Sequence, residues 1–184
     1  MKINYVIGAF LCVLGCYACS SPKTEVQSPD GHIKMTLTVD ENGKPFYNVS
    51  VDDSLLIENS AMGFTAANGI ILGEGFQVKN TTFSSEDETW TQPWGENKKN
   101  RNHYNEMAVN LTNEDHVQLT LRFRVFDDGI GFRYEYTVPT VDSLLITDEL
   151  TTFRFHRDGT SWSIPASAET YELLYQQQPI SEVE

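Results

Sequence analysis

An all-β sandwich is the fold class this sequence predicts, and three observations predict it. Apolar residues recur with a period of two over several short stretches. Clusters of Asp, Asn and Gly, the residues of tight turns, separate those stretches. A sustained helical period is missing from the body of the chain, where only 168–177 hints weakly at a helix. Many short strands between turn signals mean two packed sheets.

In order along the chain, Ile33, Met35, Leu37 and Val39 alternate with Lys34, Thr36 and Thr38, the pattern of a half-buried strand. Asp40-Glu41-Asn42-Gly43-Lys44-Pro45 is a turn cluster, after which Tyr47, Val49 and Val51 resume the alternation. Shorter segments follow at Leu55–Ile57, Met62–Thr65, Ile70–Leu72 and Phe76–Val78. The clearest unit is His116–Pro139. Val117, Leu119, Leu121, Phe123 and Val125 alternate with polar residues, and so do Ile130, Phe132, Tyr134, Tyr136 and Val138. Asp128-Gly129 between them reads as a two-residue hairpin turn. That register sets Val125 opposite Phe132, Phe123 opposite Tyr134 and Leu121 opposite Tyr136, so one face is wholly apolar. On the other face Arg122 meets Glu135, whereas Arg124 meets Arg133. Like charges directly opposite are destabilising. A carboxylate is therefore expected between those two arginines unless both splay into solvent.

Residues 84–103 (SSEDETWTQPWGENKKNRNH) show no strand period and read as a long loop. Such loops inside a compact domain are often functional. This one carries Trp90, Trp94, Glu96, Arg101 and Asn102, with Tyr104, Asn105 and Glu106 just beyond. Aromatic faces beside carboxylates and amides suit sugar recognition, because ring C–H groups stack on indole while hydroxyls take directional hydrogen bonds. A solvated loop pinned by one tryptophan as a packing plug fits the same residues.

Composition narrows the function. At 184 residues and 20.8 kDa there is room for one sizeable core. Thirteen basic against 26 acidic residues give a net charge of −13, which excludes a nucleic-acid partner for want of a basic footprint. Neutral substrates and divalent cations suit it better. The three cysteines, Cys12, Cys16 and Cys19, all lie in the first twenty residues. A disulfide scaffold, a thiol nucleophile and cysteine-ligated zinc are thereby excluded from the body. His32, His103, His116 and His156 form no metal-spaced pair.

The first fifteen residues read as an address. Met1-Lys2 gives a cationic start, and Ile3 to Leu14 is apolar apart from Asn4, too short to span a bilayer but long enough for a secretory segment. Val13-Leu14-Gly15-Cys16 resembles a bacterial lipoprotein box, so residues 1–15 are expected to be a signal peptide and Cys16 the lipid-bearing residue. Cys19, after Ala18, is a weaker second candidate. Residues 16–27 are then a linker, with Ser20-Ser21-Pro22-Lys23-Thr24 at its centre. The expected location is the bacterial cell envelope, periplasm or outer membrane, with membrane contact through the N-terminal lipid only.

Four motifs in sequence resemble the N-terminal module of glycoside hydrolase family 97: Ser28-Pro29-Asp30-Gly31; Pro93-Trp94-Gly95-Glu96 with Arg101-Asn102-His103-Tyr104-Asn105-Glu106; Phe123 to Tyr134; and Trp162, Pro165-Ala166 and Tyr171-Glu172-Leu173-Leu174-Tyr175. The resemblance runs over residues 28–184. It implies a β-super-sandwich of the galactose-mutarotase-like type, followed in family members by a catalytic (β/α)8 barrel. It implies α-glucosidase or α-galactosidase activity, retaining or inverting, on α-linked oligosaccharides. It further implies a calcium ion held by barrel carboxylates and one glutamate of this module, here Glu172 in the Tyr-Glu motif. The plain alternative for Glu172 is a solvated surface acid. Trp94, Glu96, Asn102 and Glu106 are the candidate substrate-binding residues.

The sequence stops where the family continues, so the sandwich is expected to be incomplete at its C-terminal end. No catalytic residue is assigned, because glycosidase chemistry needs two carboxylates at a set separation. By itself the chain is expected to be inactive. Its place is either as a module of an α-glycosidase or as an envelope-anchored glycan-binding lipoprotein without chemistry of its own. In a Gram-negative host the protein should incorporate labelled fatty acid, and a Cys16→Ser variant should not. Undiminished labelling of that variant would move the assignment to Cys19.

Overall fold

Alternation along the chain becomes alternation across a buried interface. The computed structural model describes residues 23–166 and 172–183. Strands β1 (Glu25–Gln27), β2 (Ile33–Val39), β3 (Pro45–Val51) and β4 (Ser54–Ala61) form one antiparallel sheet in that order. Strands β5 (Phe64–Ala66) and β6 (Ile71–Leu72) follow. Then β7 (Gln77–Thr91), β8 (Lys99–Thr112), β9 (Gln118–Phe126) and β10 (Gly129–Thr137) form a second sheet, ordered β10-β9-β8-β7. Strand β11 (Ile146–Glu149) pairs with β5, and β12 (Thr160–Ser163) with β13 (Gln176–Pro179). This is the all-β sandwich the sequence predicts. Of the helical hint at 168–177, residues 176–177 open β13 and 172–175 are irregular, while 168–171 lie outside the described residues.

Met35, Leu37, Tyr47 and Val49 of the first sheet pack against Val109, Leu111, Leu119, Leu121 and Phe123 of the second. Each such side chain contributes about 1.5–3 kcal/mol on leaving water. The Tyr47 hydroxyl, inside this core, donates to the Thr152 carbonyl at 2.9 Å. Turn chemistry sets the edges. The Asp40 carboxylate accepts from the amides of Asn42 (2.9 Å) and Lys44 (2.8 Å). Gly43 sits at φ +74°, where a Cβ would lie 2.3 Å from the Phe76 amide nitrogen, so the close approach of the β6–β7 connection requires glycine.

The 116–139 hairpin keeps the expected face but not the expected register. Asp127-Asp128 make the turn, and Gly129 already pairs with Phe126. Val125 therefore faces Ile130, Phe123 faces Phe132, Leu121 faces Tyr134 and Leu119 faces Tyr136. Slipping by one whole pair leaves every side chain on its own side, so hydrophobicity alone does not distinguish the two registers. Polar contacts do: the Asp127 carboxylate, at the turn tip, accepts from the Asp30 amide at 2.9 Å and lies 3.6 Å from His103.

The same slip re-pairs the outer charges. Arg122 now faces Arg133, and Arg124 faces Gly131. Glu135 bridges Arg122 (3.0 Å) and Arg133 (2.7 Å), while Glu106, buried on β8, bridges Arg122 and Arg124 (2.7 Å). A carboxylate does sit between arginines, but between different ones from those expected. Arg124 also lies over the Tyr104 ring, 4.4 Å from its centroid.

Most of residues 84–103 corrects the expected loop: all but 92–98 are strand. Strands β7 and β8 stay paired from Ser84↔Glu106 to Thr91↔Lys99, and only 92–98 connect them. Both faces of this arm are largely in solvent, so nothing selects an apolar alternation and the strand signal is absent.

Burial works to raise the Glu106 pKa, but hydrogen bonds from Arg124 and Arg122 outweigh it and hold the carboxyl below its ordinary value. Its stabilisation is thus complete above a pH of about 4.5 and is lost as pH falls through the lowered folded value. Glu106→Gln should cost ~2 kcal/mol near pH 7, since both guanidiniums are part-exposed and the charge removed is not fully desolvated. Urea unfolding of the variant and the wild type should converge as the pH drops toward 3; a constant gap would sink this account.

Candidate functional site

The arm of β7 and β8 projects beyond the end of β9, whose last pairing is Tyr104↔Phe126. Arg101 braces it with a bidentate grip on Asp87 (2.7 and 2.8 Å), and the Asn102 amide donates to Glu88 at 2.9 Å. Hydrogen bonds from Arg101 first, then its charge, hold the Asp87 carboxyl below its usual range. At the tip, the Gln92 amide nitrogen donates to the Lys98 carbonyl, and its side chain donates to the Asn97 carbonyl at 2.8 Å. Gly95 turns the chain at φ +115°. Trp94, beside it, is 84% exposed and Trp90 is 50% exposed. The braced hairpin thus holds the Trp94 indole out in solvent.

The four candidate substrate-binding residues do not converge. Trp94 and Glu96 sit at the tip, Asn102 is partway down β8, and Glu106 lies at the base among arginines. Seven residue steps along β8 take the chain from Lys99 to Glu106, roughly 23 Å at the strand rise. Of the four, only the tip residues Trp94 and Glu96 are exposed. Glu106 is engaged in holding the sheet face, a role not apparent without knowing that β9 brings Arg122 and Arg124 alongside it. The signal available was the spacing of Arg122 and Arg124 at i and i+2, which puts both on one side of a strand.

Glu172 is exposed, in an irregular stretch with Leu174 (88% exposed) and Tyr175 (72%). Trp162 on β12 is 63% exposed; Tyr171 lies outside the described residues. Among the described residues no three His, Asp or Glu side chains gather where a metal ion would be held. Calcium takes about six to eight oxygens, so the described residues do not make a calcium site by themselves. Glu172 has the right chemistry for one ligand of a site completed by other groups. No helix among the described residues is long and apolar enough to cross a membrane, and Cys16 with its apolar segment lies outside them.

Residues 26–184 match the family described as Glycosyl-hydrolase 97 N-terminal. The chain is 27% identical over 133 residues to a retaining alpha-galactosidase of Bacteroides thetaiotaomicron, a match spanning 72% of this chain and 19% of that enzyme. Its fold superposes on a glycoside hydrolase family 97 enzyme of Pseudoalteromonas sp. strain K8, solved in complex with panose, with a TM-score of 0.78 and 34% identity. That match covers 86% of this chain and 25% of the enzyme. A beta-arabinopyranosidase structure aligns with a TM-score of 0.72 at 25% identity, over 83% of this chain and 26% of its own. The chain spans about a fifth to a quarter of these relatives. With the sandwich, the ordered motifs and the family match over residues 26–184 in agreement, the chain belongs to glycoside hydrolase family 97, through the N-terminal domain of that family.

Proposed function

We propose that this domain serves an envelope-anchored glycosidase acting on α-linked glucosides or galactosides, and that it contributes to the substrate and calcium sites rather than to bond cleavage. The braced, exposed Trp94 tip is the observation that carries this reading, since an ordered indole in solvent is a sugar-stacking surface. The relatives support the substrate class, one being an alpha-galactosidase and another holding panose. The bond-breaking carboxylates belong, on this reading, to a (β/α)8 barrel in the longer polypeptide, because cleavage needs a pair at fixed separation. Glu172 supplies a carboxylate oxygen to a calcium ion whose other ligands lie on that barrel. When bound, such an ion supplies positive charge beside the reacting sugar. Glu172 orients its carboxylate, and the exposed Leu174 and Tyr175 give the barrel an apolar surface to close on.

Two measurements test this. Titrating the chain with panose should shift the Trp94 indole resonance with a Kd on the order of millimolar, and Trp94→Ala should abolish the broadening of the panose signals that the wild-type chain causes. An unmoved Trp94 signal at tens of millimolar panose would remove the sugar-stacking role. In a polypeptide joining this domain to a family 97 barrel, Glu172→Gln should lower calcium affinity by roughly 10-fold or more, with turnover recovering at high calcium. Wild-type turnover and unchanged calcium dependence would send the search to another carboxylate of the domain.

A further inference from the structure

Strand parity puts Arg122, Arg124 and Phe126 of β9 on the outer face of the second sheet, away from the core. Their partners across β10 are Arg133, Gly131 and Gly129. On that face β10 therefore sets no side chain against Phe126 or Arg124. A shallow trough opens there, with Arg133 at its far end.

A glycine inside a strand needs a reason, because it weakens the strand and packs nothing. Gly43 and Gly63 have two: a positive φ, and backbone too close for a Cβ. Gly129 and Gly131 have neither. Both lie outside the left-handed region, and a Cβ on either would meet no heavy atom within 4 Å. The turn itself is made by Asp127-Asp128. Among the described residues nothing requires these two positions to be bare. A strand glycine without an internal reason marks a place where something else approaches the backbone.

Charge indicates what approaches. Arg122, Arg124 and Arg133 stand among Glu106 and Glu135, so three cations against two carboxylates leave one positive charge. Arg122 gives its donors to both glutamates. Arg124 gives only Nε, to Glu106, and its Nη pair has no hydrogen-bond partner among the described residues. Arg133 gives Nε and Nη2 to Glu135, and its side chain is 64% exposed. Across Gly131 it is the diagonal neighbour of Arg124, roughly 7 Å away between β-carbons, so one carboxylate can accept from both guanidiniums. Glu106 and Glu135 hold the two arginines in place beforehand, which lowers the ordering cost of binding. Beside them Phe126, half-buried and 5.3 Å from the Tyr104 ring, supplies an apolar surface.

We propose that this trough binds a carboxylated sugar, a uronate. Its ring lies on the bare backbone of Gly129 and Gly131 beside Phe126, and its carboxylate sits between Arg124 and Arg133. Planar guanidiniums match the two carboxylate oxygens, and ring C–H groups suit an aromatic surface. A neutral hexose lacks the charge, and a simple carboxylate lacks the ring. The site is separate from the Trp94 tip: Arg124 pairs with Glu106, seven residue steps along β8 from Lys99. It does not rest on the panose reading.

Resonances of the isotope-labelled chain test this. Sodium glucuronate should move the Gly129 and Gly131 amides and the Arg124 and Arg133 Nε–H signals with a Kd on the order of millimolar. Added salt should weaken the response. Glucose should leave the four signals unmoved, acetate should bind roughly tenfold more weakly, and panose should not displace glucuronate. Gly131→Val should fill the trough. Its urea midpoint should stay or rise, since valine suits a strand, while glucuronate affinity falls roughly tenfold or more. Signals unmoved by glucuronate at tens of millimolar overturn the proposal. So do acetate binding as tightly as glucuronate, displacement by panose, and a Gly131→Val chain that binds like the wild type. A lowered midpoint in that variant overturns it as well, because the glycine then serves the fold itself.

Discussion

Two antiparallel sheets share one apolar interface, and strand parity puts the charged side chains of β8, β9 and β10 on the far side of it. Met35, Leu37, Tyr47 and Val49 on one side and Val109, Leu119, Leu121 and Phe123 on the other leave no place for a charge between them. The carboxylates and guanidiniums are therefore displaced outward, where β8, β9 and β10 set them side by side. Once there they must neutralise each other locally, since three arginines on adjacent strands repel. Glu106 and Glu135 do this with interleaved pairs, and the outer face becomes an ordered lattice instead of a loose charged surface.

That lattice separates two kinds of polar residue close together in sequence. Glu106 is fixed by Arg122 and Arg124 and belongs to the architecture. Trp94 and Glu96, ten or so residues earlier, extend beyond β9 and belong to whatever the arm meets. The arm is not held by apolar packing. Its order comes from backbone pairing, the Asp87–Arg101 fork and the amide contacts of Asn102 and Gln92. A surface ordered in this way keeps its aromatic side chains available without burying them.

Much of this was legible in the residues. The period of two at Ile33–Val39 and in the 116–139 hairpin gave both sheets their inner faces, and the motif order from Ser28 to Tyr175 gave the family. The hairpin register was not legible, because an Asp-Gly pair is the usual turn former while a slip of one pair keeps every face unchanged; the Asp30 and His103 contacts that favour Asp127-Asp128 come from distant strands. The arm was hidden for a different reason. Alternation records burial on one side, and residues 84–91 and 99–103 are strands with little burial on either. Convergence of the candidate site residues was beyond reach as well, since Glu106 differs from Asn102 only in having β9 beside it.

The Tyr47 hydroxyl on the Thr152 carbonyl joins residues 105 positions apart in the chain. Such a closure spans most of the chain. The second sheet is built from consecutive hairpins and needs no distant partner for its own ladder. Residues 152–156 line the outer edge of β4, through the Thr152 and His156 amides and the Arg154 carbonyl, and can do so only after the whole of the second sheet has been synthesised. Non-local closures of this kind are slow, and chains that depend on them spend longer with open edges. Until residues 152–156 pair with it, the edge of β4 stands open to other strands.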